Sequence, residues 1–347
     1  MKKSKKKVKK INGRKVLIII LLIIIVLVVI KMLNKKDTVQ TSPSIKIEDS
    51  EAPQLILNGN QKTIVVIGNE YKEEGATATD NIDGDISSEI KISGDLDTSK
   101  KGTYEIKYTV QDKSGNISET TKEVVVCNSL GSKGLPVLMY HFFYDKNNGK
   151  AKDNNWIEIS DFEKQLKYLA DNNYYFPTWE EVEKYIDNKQ ELPEKSIVIT
   201  VDDGDASFFE LAVPVLNKYN IDATSFVITG WYGYRAGETR ENVVYESHTD
   251  SMHESGANGK GLMLSWSYNN ILEDLKKSSE ILGGSDIFCY PFGQYNETDI
   301  KAVKEAGYKL AFTTQEGRVK KGAKKYELPR VRISKNTGLE YFKELVK

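Results

Sequence analysis

The chain is predicted to be an α/β protein: a parallel (β/α) barrel preceded by an all-β sandwich and an N-terminal apolar helix. Three observations predict this. Fifteen unbroken apolar residues, Val16 to Ile30, follow nine Lys or Arg in the first fifteen positions. Residues 53–127 carry short β-type runs separated by Gly, Asn and Asp clusters. From residue 135 onward, apolar strand-like runs alternate with stretches of helical periodicity. A length of 347 residues suggests two globular domains, at roughly 100–200 residues each.

The N-terminus comes first. Residues 1–15 form a basic tail and 16–33 a transmembrane segment. Fifteen helical residues cover about 22 Å of a hydrocarbon core about 30 Å thick. Met32 and Leu33 extend the span if Lys31 snorkels to the headgroups. A cleaved signal peptide is the rival, but residues 16–33 contain no Ala, Gly or Ser, so a small-residue cleavage site is missing. An uncleaved signal anchor is therefore expected, with the Lys-rich end in the cytoplasm and everything after residue 34 outside. A basic tail beside an apolar run points to the cell membrane as partner and away from nucleic acid. Residues 34–52, polar and aperiodic, read as a stalk.

In 53–127 the run Tyr104 to Val110 alternates strictly, and Leu55–Leu57, Thr63–Val66 and 117–126 are further strands. Short strands at close intervals are the pattern of a sandwich. Glu73-Glu74-Gly75-Ala76-Thr77-Ala78 and Asp80-Asn81-Ile82-Asp83-Gly84-Asp85 resemble the bacterial immunoglobulin-like domains of surface proteins. Asp80, Asp83 and Asp85 offer clustered oxygens of the kind calcium prefers. A solvated turn is favoured, because the full twelve-residue loop signature is missing. Asn128 to Gly134 reads as a linker. Cys127 and Cys289 are expected to be free thiols, and with no CxxC pair a cysteine metal site is excluded.

Residues 135–347 hold strand-like runs at 135–140, 197–201, 223–228, 243–245, 286–290, 309–313 and 328–333, with an ambiguous one at Tyr174 to Phe176. Phe162, Leu166, Leu169 and Ala170 mark one helix, Ile271, Leu272, Leu275, Ile281 and Leu282 a second, and Ala302, Val303 and Ala306 a third.

The chain has three histidines. His141 follows the first run, Asp202 and Asp203 follow the second, and His248 comes shortly after the fourth, with His253 close behind it. Pro291-Phe292-Gly293 follows the fifth. In a βα-barrel these strand ends converge on one face, where active sites form. Two His and a carboxylate with an open water position make a standard catalytic zinc set. The second Asp is then free to act as general base. Asp202-Asp203-Gly204 alone is also an ordinary strand-ending turn; convergence from several strands gives it weight.

Thr200-Val201-Asp202-Asp203-Gly204, Ser247 to His253 and Phe288-Cys289-Tyr290-Pro291-Phe292-Gly293, taken in order, resemble the three motifs of the polysaccharide deacetylase (NodB-homology) family. The resemblance implies a distorted (β/α) barrel over 135–347 and removal of acetyl groups from N-acetylglucosamine-type polymers. By motif, Asp202 is the general base, and Asp203, His248 and His253 hold the metal. Zinc is the default, and Co2+ or Ni2+ could substitute. Three departures from the common pattern stand out: histidines five apart, Cys289 in place of the third motif's Arg, and no histidine after His253. All three resemble the circularly permuted branch that acts on poly-N-acetylglucosamine. In that branch His141, from Leu-Met-Tyr-His, is the general acid. Arg330, with Arg332 as alternative, orients Asp202. Pro291 and Phe292 serve the oxyanion, the latter near a backbone N–H, and Trp231 and Tyr232 are candidates for sugar contact.

The expected activity is metal-dependent de-N-acetylation of an acetylated amino-sugar polymer at the cell surface. Peptidoglycan comes first, because a tethered enzyme on a short stalk reaches the wall. Poly-N-acetylglucosamine, an O-acetyl ester and a degenerate wall-binding role are the alternatives.

Overall fold

The structure, a computed structural model, describes residues 25–26, 29–32, 49–256 and 259–347. Two units divide at Ser50, and the second, Glu51–Lys347, carries both folded domains. The described part of the expected anchor is helical, and the rest of residues 16–33, the basic tail and most of the stalk lie outside the described residues. No helix among the described residues is long and apolar enough to cross a membrane.

The first domain is a sandwich of two sheets. One contains β1 (Gln54–Leu57), β3 (Ala76–Asp80) and β4 (Gly84–Asp85) in the order β1-β3-β4. The other contains β2 (Lys62–Val66), β5 (Lys91–Ser93), β6 (Gly102–Gln111) and β7 (Ile117–Cys127) in the order β2-β7-β6-β5. The alternation in β6 is realised as burial of Ile106, Tyr108 and Val110, which meet Val65, Val124, Val126 and Ala78 between the sheets. The Glu73-Glu74-Gly75 word has a physical reason. Glu73 accepts hydrogen bonds from Tyr71 Oη (2.9 Å), Tyr108 Oη (2.5 Å) and Gly75 N (2.7 Å). Glu74 pairs at 2.9 Å with Lys122, whose side chain is fully buried. The acidic word is a turn. Asp80 accepts from the backbone of Ile82 and Asp83, Asp83 pairs with Lys113, and Asp85 caps Ser87. Asp80 and Asp85 thus bond backbone within the turn and Asp83 pairs outside it; Asp80 also lies close to Asp49 and Asp112, carboxylates that together could hold a metal ion.

The second domain closes into a barrel of seven parallel strands: β8 (Val137–Tyr140), β11 (Val198–Val201), β12 (Ala223–Val227), β13 (Val243–Ser247), β14 (Ile287–Cys289), β15 (Leu310–Glu316) and β16 (Leu328–Arg332). The first strand in sequence, β8, sits between β11 and the last, β16, and so closes the ring. A small ribbon, β9 (Phe142–Tyr144) with β10 (Trp156–Glu158), follows β8. The ambiguous run at Tyr174–Phe176 is no barrel strand; Tyr175 makes one parallel bridge to Ser196. Helices α1 (Ile159–Asp171), α2 (Trp179–Ile186), α3 (Val213–Tyr219), α4 (Thr229–Tyr232), α5 (Tyr268–Ile281), α6 (Glu297–Glu305) and α7 (Leu339–Val346) cover or cap the strands. Of the expected helical residues, Phe162, Leu166 and Leu169 on α1, Ile271 and Leu275 on α5, and Ala302 and Val303 on α6 are buried, while Leu272 is half-buried and Ile281, at the end of α5, is exposed. Helix α2 begins with a capping box between Thr178 and Glu181, which satisfies two otherwise open backbone donors.

Residues 128–134 do not hang free. Gly131 N donates to Leu192 O (2.9 Å), Glu194 N donates to Ser129 O (2.9 Å), and Leu130 bridges Pro193. Lys62 reaches Glu181 at 3.7 Å and lies over the Tyr175 ring. These contacts fall on segments that lead into the barrel strands, the end opposite the one where His141, Asp202 and His248 emerge. Cys127 and Cys289 are both free and buried.

Phe312 is fully buried between Trp179 and Phe226 at centroid distances of 5.2 and 6.2 Å. Truncating such a ring leaves a cavity costing about 3–5 kcal/mol. Phe312→Ala should therefore lower the urea midpoint of the barrel transition; an unchanged midpoint would show that this layer is not part of its core.

Candidate active site

Asp202 and Asp203 leave the carboxyl end of β11 in a turn that requires left-handed backbone. Asp203 has φ 76° and Gly204 φ 81°. A Cβ on Gly204 would lie 3.2 Å from Val227 Cγ1, so glycine serves both the dihedral angle and the packing. The turn sends the two carboxylates to different partners.

Asp202 is held by Arg330 from β16. Nη1 donates to Oδ1 and Nη2 to Oδ2, each at 2.7 Å. The guanidinium is itself fixed, donating to Thr313 O (3.0 Å), Thr200 Oγ1 (3.1 Å) and Cys289 Sγ (3.0 Å). Both Arg330 and Cys289 are fully buried. Burial alone would raise the Asp202 pKa, but the charge and hydrogen bonds of Arg330 outweigh it and hold the carboxyl well below its usual range. His141 Nε2 lies 3.8 Å from Asp202 Oδ2. Burial lowers the His141 pKa to about 4 against the opposing pull of Asp202, and its Nδ1 is buried with no hydrogen-bond partner. Arg332, the sequence alternative to Arg330, points elsewhere, to Asn155 Oδ1 at 2.9 Å.

Asp203 faces the two remaining histidines. Its Oδ1 lies 3.5 Å from His248 Nε2 and 3.4 Å from His253 Nε2. That oxygen is buried and has no hydrogen-bond partner. His248 Nδ1 is 2.7 Å from Cys289 O, so Nδ1 donates and Nε2 keeps the lone pair that a metal would take. Ligands about 2.0–2.1 Å from a tetrahedral zinc stand about 3.3–3.4 Å apart, close to the spacing seen. The residues present thus fit a divalent ion. Burial, then the Asp202 charge, raises the Asp203 pKa to about 7, and burial lowers that of His248 to about 3. A second triple, Asp202, His248 and Cys289, also lies close together, but both oxygens of Asp202 are committed to Arg330.

The His248–His253 loop is tied down from α5 and α4. Asp274 accepts from Asp250 N and Ser251 N, both at 2.8 Å, and Thr229 N donates to Thr249 O at 2.9 Å. Asp274 and Cys289 were not singled out as functional in the sequence. Asp274 carries no local signal, since it looks like one more charge on a polar helix. Cys289 shows only as a departure from the motif. Its small side chain leaves the space that the Arg330 guanidinium occupies.

Aromatic rings flank His253. Phe292, at φ 58°, lies 4.5 Å away, and Trp231 meets it edge-on at 5.8 Å. Both are substantially exposed, at 42% and 49%. Pro291 is buried at the start of the same turn. Tyr232 stands one ring farther out, against Trp231 and Arg235. The structure thus brings His141, Asp202, Asp203, His248, His253, Arg330, Phe292 and Trp231 to one end of the barrel.

Two outcomes follow from this electrostatics. Arg330→Met leaves Asp202 buried and unpaired, and breaking a buried pair in this way costs about 3–5 kcal/mol; chemical denaturation should show a loss of that order. The folded pKa of His141, about 4, lies below the unfolded value of about 6.5. Its stabilising contribution is thus full above pH 6.5 and lost as pH falls through about 4. In metal-free protein, His141→Asn should therefore gain stability relative to the wild type over that window. A pH-independent difference would show that burial does not set this pKa.

Comparison with known proteins places the two domains in families. Residues 189–311 match the family described as polysaccharide deacetylase, and residues 55–126 match the bacterial surface protein Ig-like domain. The first match spans the acidic pair, both later histidines and Cys289 to Gly293, but neither His141 nor Arg330. A poly-beta-1,6-N-acetyl-D-glucosamine N-deacetylase of Staphylococcus aureus (strain MRSA252) is 30% identical over 226 residues, 60% of this chain and 76% of that protein. The putative polysaccharide deacetylase YxkH of Bacillus subtilis (strain 168) is 31% identical, covering 58% of this chain and 71% of that protein. Among solved structures, the Streptococcus pyogenes deacetylase PplD in complex with acetate superposes with a TM-score of 0.53 at 25% identity, over 62% of this chain and 98% of that one. IcaB from Ammonifex degensii superposes with a TM-score of 0.53 at 26% identity, over 63% and 99%. The chain belongs to the polysaccharide deacetylase family, and an immunoglobulin-like domain of the bacterial surface type precedes its catalytic barrel.

Proposed function

We propose that the chain is a metal-dependent de-N-acetylase acting on N-acetylglucosamine residues of a cell-surface polysaccharide. The observation that carries this reading is the division of the acidic pair. Asp203 joins His248 and His253 with an open carboxylate oxygen, while Asp202 is clamped by Arg330 and faces His141. When bound at Asp203, His248 and His253, a divalent ion, with zinc the best match to this donor set, supplies Lewis acidity to the scissile carbonyl and acidifies a water.

The chain's own groups then share the proton work. Asp202 stays ionised, because Arg330 holds its charge, and accepts the proton of the attacking water. His141 delivers a proton to the departing sugar nitrogen, which is a very poor leaving group unprotonated. Phe292, held in a left-handed turn, brings backbone toward the developing oxyanion. Trp231 and Phe292 stand at the mouth as platforms for sugar rings. Products are acetate and a glucosamine unit, which gains a positive charge.

Of the two polymers considered from the sequence, poly-N-acetylglucosamine now stands ahead of peptidoglycan. Support comes from His141 and Arg330, which both face Asp202 as the resemblance to the permuted branch implies, and from the Staphylococcus aureus relative named for the β-1,6 polymer, which is matched over most of its length. Peptidoglycan remains the second reading, since the immunoglobulin-like module is of a surface-protein type. The basic tail and apolar run at 1–33 support attachment to the cell membrane with the barrel outside.

Acetate release from purified poly-N-acetylglucosamine and from peptidoglycan tests the reading and ranks the polymers. Asp202→Asn and His141→Ala should each lower kcat/KM by about 10²–10⁴, the usual worth of a positioned acid or base, with metal content unchanged. Chelation should abolish activity and added Zn2+ restore it. Release from O-acetylated but not N-acetylated sugars would make the enzyme an esterase instead. A metal-free protein unaffected by His248→Ala would end the enzymatic reading.

A further inference from the structure

Strands β12 and β13 are parallel neighbours joined without a regular crossover helix. The link is α4 followed by a 3₁₀ turn, Gly233–Gly237, and it returns along the outside of the barrel. Arg235 lies in that turn and is only 7% exposed. Its guanidinium makes no hydrogen bond or ion pair among the described residues, and its Nε is sealed from solvent. Arg330, the other buried arginine among the described residues, behaves in the opposite way: each of its five N–H donors has an acceptor.

What surrounds the Arg235 guanidinium is aromatic. Its Cζ lies 4.2 Å from the centre of the Phe209 ring, 5.0 Å from that of Tyr234 and 5.8 Å from that of Tyr232. Rings attract the face of a guanidinium, but its N–H donors point outward in the plane, so stacking leaves them open. Burying such donors unbonded costs free energy, and a buried group left open calls for a partner. A second open group stands on the same ring. Tyr245, from β13, is stacked on Phe209 at 6.1 Å, and its Oη is also buried without a hydrogen-bond partner. Burial raises the Tyr245 pKa against the charges of Arg240 and Arg235, so these groups share one neighbourhood. Arg240 Cζ lies 5.3 Å from the Phe209 centre. Glu238 is taken by Arg240, whose Nε donates to it at 3.0 Å and Nη2 at 2.5 Å. Two guanidiniums therefore share one ring and one carboxylate, and the carboxylate is committed to the outer guanidinium.

We propose that Arg235, Tyr245 and Arg240 form an oxyanion site on the flank of the barrel, built for a phosphate or carboxylate group. The edge of a guanidinium matches the spacing of such oxygens, and charge makes those hydrogen bonds strong. The site shares no residue with the metal-ligand set. Arg235 belongs to the same short link as Trp231, which meets His253 edge-on at 5.8 Å. An anion that pins Arg235 therefore also fixes the segment that carries Trp231. The site stands independently of the de-N-acetylase reading.

Isothermal titration of the full chain with sodium phosphate and with sodium acetate, at constant ionic strength, tests it. Each titration is run on metal-loaded and on metal-free protein, so that an anion held by a metal is told apart from one held by the flank. The wild type should show a saturable site for at least one of the two anions in both metal states. Arg235→Met keeps the apolar stem on Phe209 and removes the donors; it should weaken binding by about tenfold or more, the worth of a hydrogen bond to a charged group. Tyr245→Phe removes one hydroxyl and keeps the ring; it should weaken binding about threefold, and it carries the test if the first variant does not fold. Tighter phosphate assigns the site to phosphate-bearing ligands and tighter acetate to carboxylates, and either supports it. A wild type that binds neither anion saturably in the metal-free state overturns the site, as does binding equal in wild type and variants. Amide hydrogen exchange across 229–240 should slow when the anion is bound; unchanged exchange overturns the link to Trp231.

Discussion

A guanidinium and a carboxylate, both buried, meet inside the open end of the barrel. Arg330 and Asp202 come from strands that are far apart in sequence, and β8 lies between them in the ring. Desolvating two charges is expensive, and only close, fully hydrogen-bonded geometry offsets it. Here the geometry is close. Arg330 spends its donors on both oxygens of Asp202, on Thr200, on a backbone carbonyl and on the sulfur of Cys289. The pair therefore ties four strands together, β11, β14, β15 and β16, and the register of β16 against β8 and β11 against β8 decides whether it forms.

The rest of the site depends on that constraint. With Asp202 committed to the arginine, Asp203 is left to the histidines, and the left-handed turn at 203–204 turns the two acids apart. Cys289 contributes from both its ends. Its sulfur accepts from Arg330, and its carbonyl orients His248. One small residue thus connects the proton-handling side of the site to the ligand side. An arginine at this position would compete for the space that Arg330 fills.

The immunoglobulin-like domain meets the barrel at the opposite end, through the linker bridge to 192–194 and the Lys62 contacts to Glu181 and Tyr175. This leaves the strand ends that carry the chemistry uncovered. Trp231 and Phe292 can stay exposed there.

The sequence by itself determined the periodic parts of this protein. Strand runs, helical stripes and the placement of histidines after apolar runs are local patterns, and burial on one face follows from them directly. For the same reason Asp202, Asp203, His248 and His253 were legible as a group. His141 was marked by its place after the first apolar run, but its role as acid, and Arg330 altogether, were legible only through the resemblance to a permuted family branch. Only the tertiary structure decided between Arg330 and Arg332: neighbours two apart on a strand share a face, and their separate partners come from distant loops and strands. It also decided that Tyr174–Phe176 adds no strand to the ring, that Asp274 anchors the histidine loop, and that Arg235, Arg240 and Tyr245 gather on Phe209. Such contacts join residues tens to more than a hundred positions apart, and no period in the chain encodes them.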